Sequence, residues 1–219
     1  MPPRLPDRTF EDSLFQKGYT WIIGVDEVGR GCLAYDVGIG AVAMNQSAGP
    51  WPKGLRDSKL VPEKSRQALR DEADAWLPLN SVGFASANEI EEYGINPAQA
   101  IAGERAITKV IQAIEAQGSR FKVNKSNTII ILDGSSNWLK KKIDYLDIIV
   151  KVKADQDCVV VSAASILAKV ARDNALIELD KKYPQYGFAK HKGYGSPLHY
   201  EAIAKHGIIP GIHRASWIK

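Results

Sequence analysis

Cysteine is nearly absent from the 219-residue chain. Cys32 and Cys158 are the only two, they stand far apart, and neither has a histidine or second cysteine at metal-ligand spacing. A disulfide framework and a zinc site are thereby excluded, and both residues read as buried thiols. No stretch reaches the ~18 consecutive apolar residues of a membrane span. The start, MPPRLPDRTFEDS, is polar where a secretory signal would carry an apolar run, so the expectation is a soluble, cytoplasmic protein with no membrane contact. Internal repeats, low-complexity tracts and linkers are also missing, and the 45% hydrophobic and 25% charged residues exclude disorder, collagen and coiled coil. Neither charge sign dominates: Lys+Arg 29 against Asp+Glu 25 gives +4, which suits a polyanionic partner without demanding one.

What is present is a regular alternation of short apolar runs and helical stripes. WIIGVDE at 21–27 and VGIGAVAM at 37–44, each bounded by glycine, read as two strands that pair as a hairpin. Residues 62–77 place Ala68, Leu69, Ala73, Trp76 and Leu77 between charges, the spacing of a surface helix. A third strand is expected over 80–87. Residues 88–117 turn helical, interrupted at GINP (94–97), and Ala102, Ala106, Ile107, Val110, Ile111 and Ile114 form one apolar stripe. IIIL at 129–132 and IIVKV at 148–152 have the composition of buried central strands, and 159–183 reads as a long helix with small residues at 162–165. The sum is one α/β domain over 1–219, a five-stranded mixed sheet flanked by helices. The lead over 1–18 is expected to be flexible, and the glycine-rich segment 184–219 to lie over a surface.

Acidic residues ending apolar strands need explaining, because their neighbours are buried. Asp26 and Glu27 end the first strand, Asp133 ends IIIL before Gly134, and Asp155 follows the fifth apolar run. Strand ends are where open α/β sheets bind ligands, so these groups can converge. Unit charges ~4 Å apart repel by about 4 kcal/mol at an effective dielectric of ~20, so protonation or cations must offset the cluster. An all-oxygen donor set favours Mg²⁺ or Mn²⁺, and two such ions serve in-line displacement at a phosphodiester. Each acid could instead be a turn residue or helix cap. Gly29-Arg30-Gly31 allows close backbone approach beside a phosphate-compatible fork, and Lys190-His191-Lys192-Gly193-Tyr194-Gly195 sets cations beside an aromatic, suited to phosphate and sugar or base.

GVDEVGRG at 24–31, DSK at 57–59, LDG at 132–134, KAD at 153–155, SAASILAKVARD at 162–173, YPQYGFAKHKGYG at 183–195 and HRAS at 213–216 resemble, in order, the motifs of the ribonuclease HII family. The resemblance implies a ribonuclease H-like fold and a monomeric, Mg²⁺- or Mn²⁺-dependent endonuclease. It implies as substrates RNA–DNA hybrids and ribonucleotides embedded in duplex DNA, cut to 5′-phosphate and 3′-hydroxyl ends in ribonucleotide excision repair and primer removal. Carried over by position, Asp26, Glu27, Asp133 and Asp155 match the four metal-binding carboxylates, with Asp157 a rival for the fourth. Gly29, Arg30 and Gly31 match the ribose 2′-hydroxyl sensor, and Tyr194 the tyrosine that packs on the sugar at the RNA-to-DNA junction. Lys59, Lys190 and Lys192 would contact the backbone. Cys32-Leu33-Ala34-Tyr35-Asp36 departs from the family's frequent Pro-Leu-Ala-Gly-Pro, and Asp173 reads as an ion-pairing helix residue. A non-catalytic nucleic-acid-binding domain does not account for acids at three strand ends, and a phosphatase with an aspartate nucleophile gives Tyr194 no role.

Overall fold

The computed structural model describes residues 5–118 and 121–218; residues 1–4 of the expected lead and Lys219 of the C-terminal segment lie outside them. The elements in chain order are α1 (Thr9–Gln16), β1 (Trp21–Val28), β2 (Val37–Asn45), a 3₁₀ turn (Ser58–Leu60), α2 (Glu63–Trp76), β3 (Asn80–Ala85), α3 (Ala87–Tyr93) and α4 (Ile95–Ala116). They continue with β4 (Thr128–Asp133), β5 (Asp147–Lys151), α5 (Ala154–Asp157), α6 (Val159–Lys182), α7 (Phe188–His191), α8 (Pro197–His206) and a 3₁₀ turn (Ala215–Trp217). The sheet has the order β3-β2-β1-β4-β5. The first three strands form an antiparallel meander, and β4 and β5 add in parallel beside β1.

Side-chain size along the strands sets how the layers meet. A Cβ on Gly24 of β1 would lie 2.6 Å from the Val160 carbonyl, and one on Gly40 of β2 would lie 2.3 Å from the Ala164 carbonyl. These glycines let the backbone of α6 rest directly on the sheet at Val160 and Ala164. Helices α1 and α2 complete that face around Leu14, Leu69 and Ile131. On the opposite face α4 packs its stripe of Ala102, Ala106, Ile107, Val110 and Ile114 against Ile23, Ile39 and Leu132. Gly94, at φ 81°, separates α3 from α4. Pro97 does not extend the break, because it falls in the first turn of α4, where a missing N–H has no intrahelical partner to lose.

Part of the lead, residues 5–18, lies among the described residues. It carries α1, and Glu11, fully buried, accepts a hydrogen bond from the Val160 amide at 3.1 Å through Oε1. Cys158 at the N-cap of α6 supplies no side-chain cap, so a carboxylate from 149 residues upstream caps the longest helix. Burial raises the pKa of Glu11 to about 7. Among the described residues no helix is long and apolar enough to cross a membrane.

Candidate active site

Parallel pairing sets Val25 opposite Leu132, so the next residues, Asp26 and Asp133, stand side by side at the carboxyl edge of β1 and β4. The chain leaves β5 through Lys153, whose left-handed backbone (φ 60°) turns it into α5. The Ala154 amide then donates to Asp133 Oδ1 at 2.6 Å, fixing the turn so that Asp155 meets the same edge. Ser162 Oγ donates to the Asp155 carbonyl at 2.6 Å, and the Ser165 hydroxyl hydrogen-bonds Asp26, so the small residues of α6 also hold the carboxylate turns.

The four acids feel one another. Burial raises the pKa of Asp26 well above its ordinary value; Ser165 partly opposes this, and Asp133, Glu27 and Asp155 push it further up. Glu27 is raised by burial and Asp133, against the pull of Arg30 and Lys59. Asp133 is raised by burial despite three backbone hydrogen bonds, and Asp155 reaches about 7 through burial and the negative charges of Asp133 and Asp57. Burial pulls Lys59 down, but Asp57, Asp26 and Asp155 outweigh it and hold the ammonium above its usual range. Among the described residues no three His, Cys, Asp or Glu side chains are gathered into a ready-made metal cage. Uncompensated like charges favour that separation, while the donor chemistry, carboxylate oxygens without imidazole or thiolate, fits hard divalent cations.

Asp26 and Glu27 line an open cleft of about 580 Å³ together with Gly29, Arg30, Gly31, Lys59, Arg66, Lys169 and Tyr194. Its wall at residues 29–36 is stapled by two fully buried arginines that bond to carbonyls. Arg214 donates to the carbonyls of Gly29 at 2.8 Å, Arg30 at 2.9 Å and Tyr35 at 2.7 Å. Arg172 donates to those of Asp36, Ala34 and Lys192, each at 2.9 Å. A Cβ on Gly29 would meet Arg172 Nε at 2.2 Å, and the residue sits at φ 79°, so both space and conformation require glycine there. Tyr194, 41% exposed, joins the same wall because the Leu33 amide donates to the Gly193 carbonyl at 2.8 Å. At the departure, Tyr35 adopts φ 72°, the left-handed conformation that suits the glycine frequent in the family, and its ring lies 5.9 Å below the Arg172 guanidinium.

Several expected residues stand elsewhere. Lys192 is buried, and its ammonium donates to Glu63 at 3.0 Å and to the Ala189 carbonyl, so it does not offer itself to a phosphate. Lys190 is exposed on α7 and does not line the cleft. Asp157, the rival of Asp155, forms an ion pair with Lys151 beside α1. Asp173 pairs with Lys169 at 2.7 Å and Arg66 at 3.6 Å. Sequence reasoning passed over Asp57, which hydrogen-bonds Asp155, and over Lys169 and Arg66 of the cleft rim. Asp57 stands in the DSK motif and Lys169 in SAASILAKVARD, whereas Arg66 lies on α2 with nothing local to separate it from solvated charges.

Comparison with known proteins agrees with this architecture. The family model described as Ribonuclease HII matches residues 23–219. The chain is 42% identical over 207 residues to a ribonuclease HII of Vibrio parahaemolyticus, covering 93% of this chain and 87% of that one. It is 38% identical over 218 residues to one of Streptomyces avermitilis, covering 99% and 85%. Among solved structures, ribonuclease H2 from Pyrococcus horikoshii superposes with a TM-score of 0.64 at 26% identity, over 90% of this chain and 93% of that one. An RNase HIII solved with Mn²⁺ shares the fold at a TM-score of 0.70 and 17% identity, over 92% and 68%. The mixed five-stranded sheet, the motifs along it and these relatives together place the chain in the ribonuclease HII family of type 2 ribonucleases H.

Proposed function

We propose that the chain hydrolyses the RNA strand of RNA–DNA hybrids and cuts on the 5′ side of single ribonucleotides embedded in duplex DNA. The observation that supports this reading is the cleft itself, which Asp26 and Glu27 line together with Gly29-Arg30-Gly31, Lys59 and Tyr194. A lone ribose can touch a backbone sensor and the carboxylate edge together, because only Val28 separates Glu27 from Gly29.

Asp26, Glu27, Asp133 and Asp155 would hold the metal. Two divalent cations bound there would activate water and stabilise charge on both oxygens of an in-line displacement, leaving 5′-phosphate and 3′-hydroxyl ends. The chain's own residues do the rest. Backbone groups of the glycine-framed loop meet the 2′-hydroxyl, which both donates and accepts, and Arg30 and Lys59 meet the phosphates. Arg30 Nη2 donates to Asn96 Oδ1 at 3.0 Å, which ties the guanidinium to the first turn of α4. Tyr194 packs on the following sugar. Such an activity serves removal of misincorporated ribonucleotides and of RNA primers. Incubating the protein in Mg²⁺ or Mn²⁺ with a duplex bearing one ribonucleotide, an all-DNA duplex and a long hybrid tests it. Cleavage 5′ of the ribonucleotide with the DNA left intact is expected, and inactivity on the single ribonucleotide beside good cutting of the long hybrid would refute the sensor reading.

A further inference from the structure

Below Tyr194 three imidazoles come from three parts of the C-terminal segment: His191 from α7, His199 from α8 and His213 from the loop before Arg214. The rings of His191 and His199 stack at 4.1 Å between centroids, and His199 and His213 are buried. Every ring nitrogen has a partner. His191 Nδ1 accepts from the Gly193 amide at 3.1 Å, so the hydrogen is on Nε2, which faces the Tyr186 carbonyl at 2.8 Å. His213 Nδ1 accepts from the Ile209 amide at 2.8 Å, so its Nε2 carries the hydrogen and donates to His199 Nε2 at 3.2 Å. His199 therefore carries its hydrogen on Nδ1, which faces the Tyr194 carbonyl at 2.9 Å. Its partners assign each ring one tautomer with a single hydrogen, and a second proton on any ring would set N–H against N–H.

The surroundings offer an imidazolium little. Phe188 and Tyr186 pack on the rings, and Tyr186 also abuts His206. Asp180 and Lys192 influence His191 in opposite senses. Burial lowers all three imidazoles, His199 to about 4.

We propose that His191, His199 and His213 are positioning residues that hold Tyr194 in the cleft as one neutral set. His199 fixes the Tyr194 carbonyl, His191 the Gly193 amide, and His213 the tautomer of His199. This rests on the reading of Tyr194 as a substrate contact. The test begins with nitrogen-15 spectra of the imidazoles in the wild-type chain. At pH 7.5 the hydrogen is expected on Nδ1 of His199 and on Nε2 of the other two, and a different tautomer or an imidazolium at that pH overturns the proposal without reference to activity. The second arm compares His199→Phe, which keeps a ring but cannot donate, with His199→Asn, which restores a donor near the Nδ1 position. On the single-ribonucleotide duplex His199→Phe is expected to lower kcat/KM about tenfold, as for one lost hydrogen bond, and His199→Asn to recover most of it. In a Tyr194→Ala background His199→Phe should add no further loss; additive losses would show that the histidines act elsewhere and overturn the proposal. A fully active Tyr194→Ala would instead refute the substrate contact itself, while the tautomer assignment would stand or fall on its spectra.

Discussion

Replacing Asp155 by asparagine separates the cost of the carboxylate cluster from its use. Burial and the neighbouring Asp133 and Asp57 raise Asp155 from 3.8 to about 7. One unit corresponds to ~1.4 kcal/mol, so the ionised side chain costs the metal-free fold roughly 4 kcal/mol. The sign follows from proton binding: between about pH 4 and 7 the folded chain holds a proton that the unfolded chain has released. Stability thus falls as pH rises through that window, and the cost is complete above it and absent below it. Asparagine cannot ionise, keeps the shape and can still donate to Asp57. In metal-free buffer at pH 8, Asp155→Asn should therefore raise Tm by on the order of 10 °C, taking ~2–4 °C per kcal/mol for a chain of this size, with the difference vanishing near pH 4. Adding Mg²⁺ should stabilise the wild type more than the variant, and cleavage by the variant should fall by several orders of magnitude. Thermal unfolding at pH 4 and 8 with and without metal, beside the single-ribonucleotide assay, measures all of this. A variant no more stable than wild type at pH 8, or one that cuts normally in Mg²⁺, would refute the reasoning.

Asp157→Asn, which breaks a half-buried pair with Lys151 away from the cleft, should cost about 1 kcal/mol or less and leave cleavage within a few-fold of wild type; the reverse ranking of the two variants in the cleavage assay would make Asp157 the fourth carboxylate. Asp26→Asn and Asp133→Asn should each reduce Mg²⁺-dependent cleavage by several orders of magnitude while circular dichroism stays native, since neither opens a cavity. Gly29→Ala puts a methyl on the Arg172 guanidinium at a left-handed position and should lose ~1–3 kcal/mol of stability together with most cutting at single ribonucleotides, both read from unfolding curves and cleavage rates. Glu11→Ala removes the cap of α6 and should lower Tm, most clearly at pH 5, where a protonated Glu11 carries little desolvation cost.

The strands, the break at Gly94 and the long helix at 159–183 were legible because each is written locally, in β-branched runs, glycine punctuation and helical spacing. The carboxylates were legible for a related reason: an acid ending a buried strand conflicts with its neighbours, and the conflict is visible in a few residues. Which acids share an edge was decided by strand pairing, since Val25 opposite Leu132 brings Asp133 to Asp26 and the turn at Lys153 sends Asp155, not Asp157, to that edge. Lys192 reads as a phosphate ligand from composition alone. Only the packed structure shows its ammonium bonded to Glu63 and the Ala189 carbonyl. Glu11 capping Val160 and Arg172 tying Ala34 to Lys192 leave no local pattern, because their partners lie 149, 138 and 20 positions away. Local chemistry therefore determined which residues could act, and long-range packing, which buries some charges against carbonyls and leaves others facing the cleft, decided which of them are placed to do so.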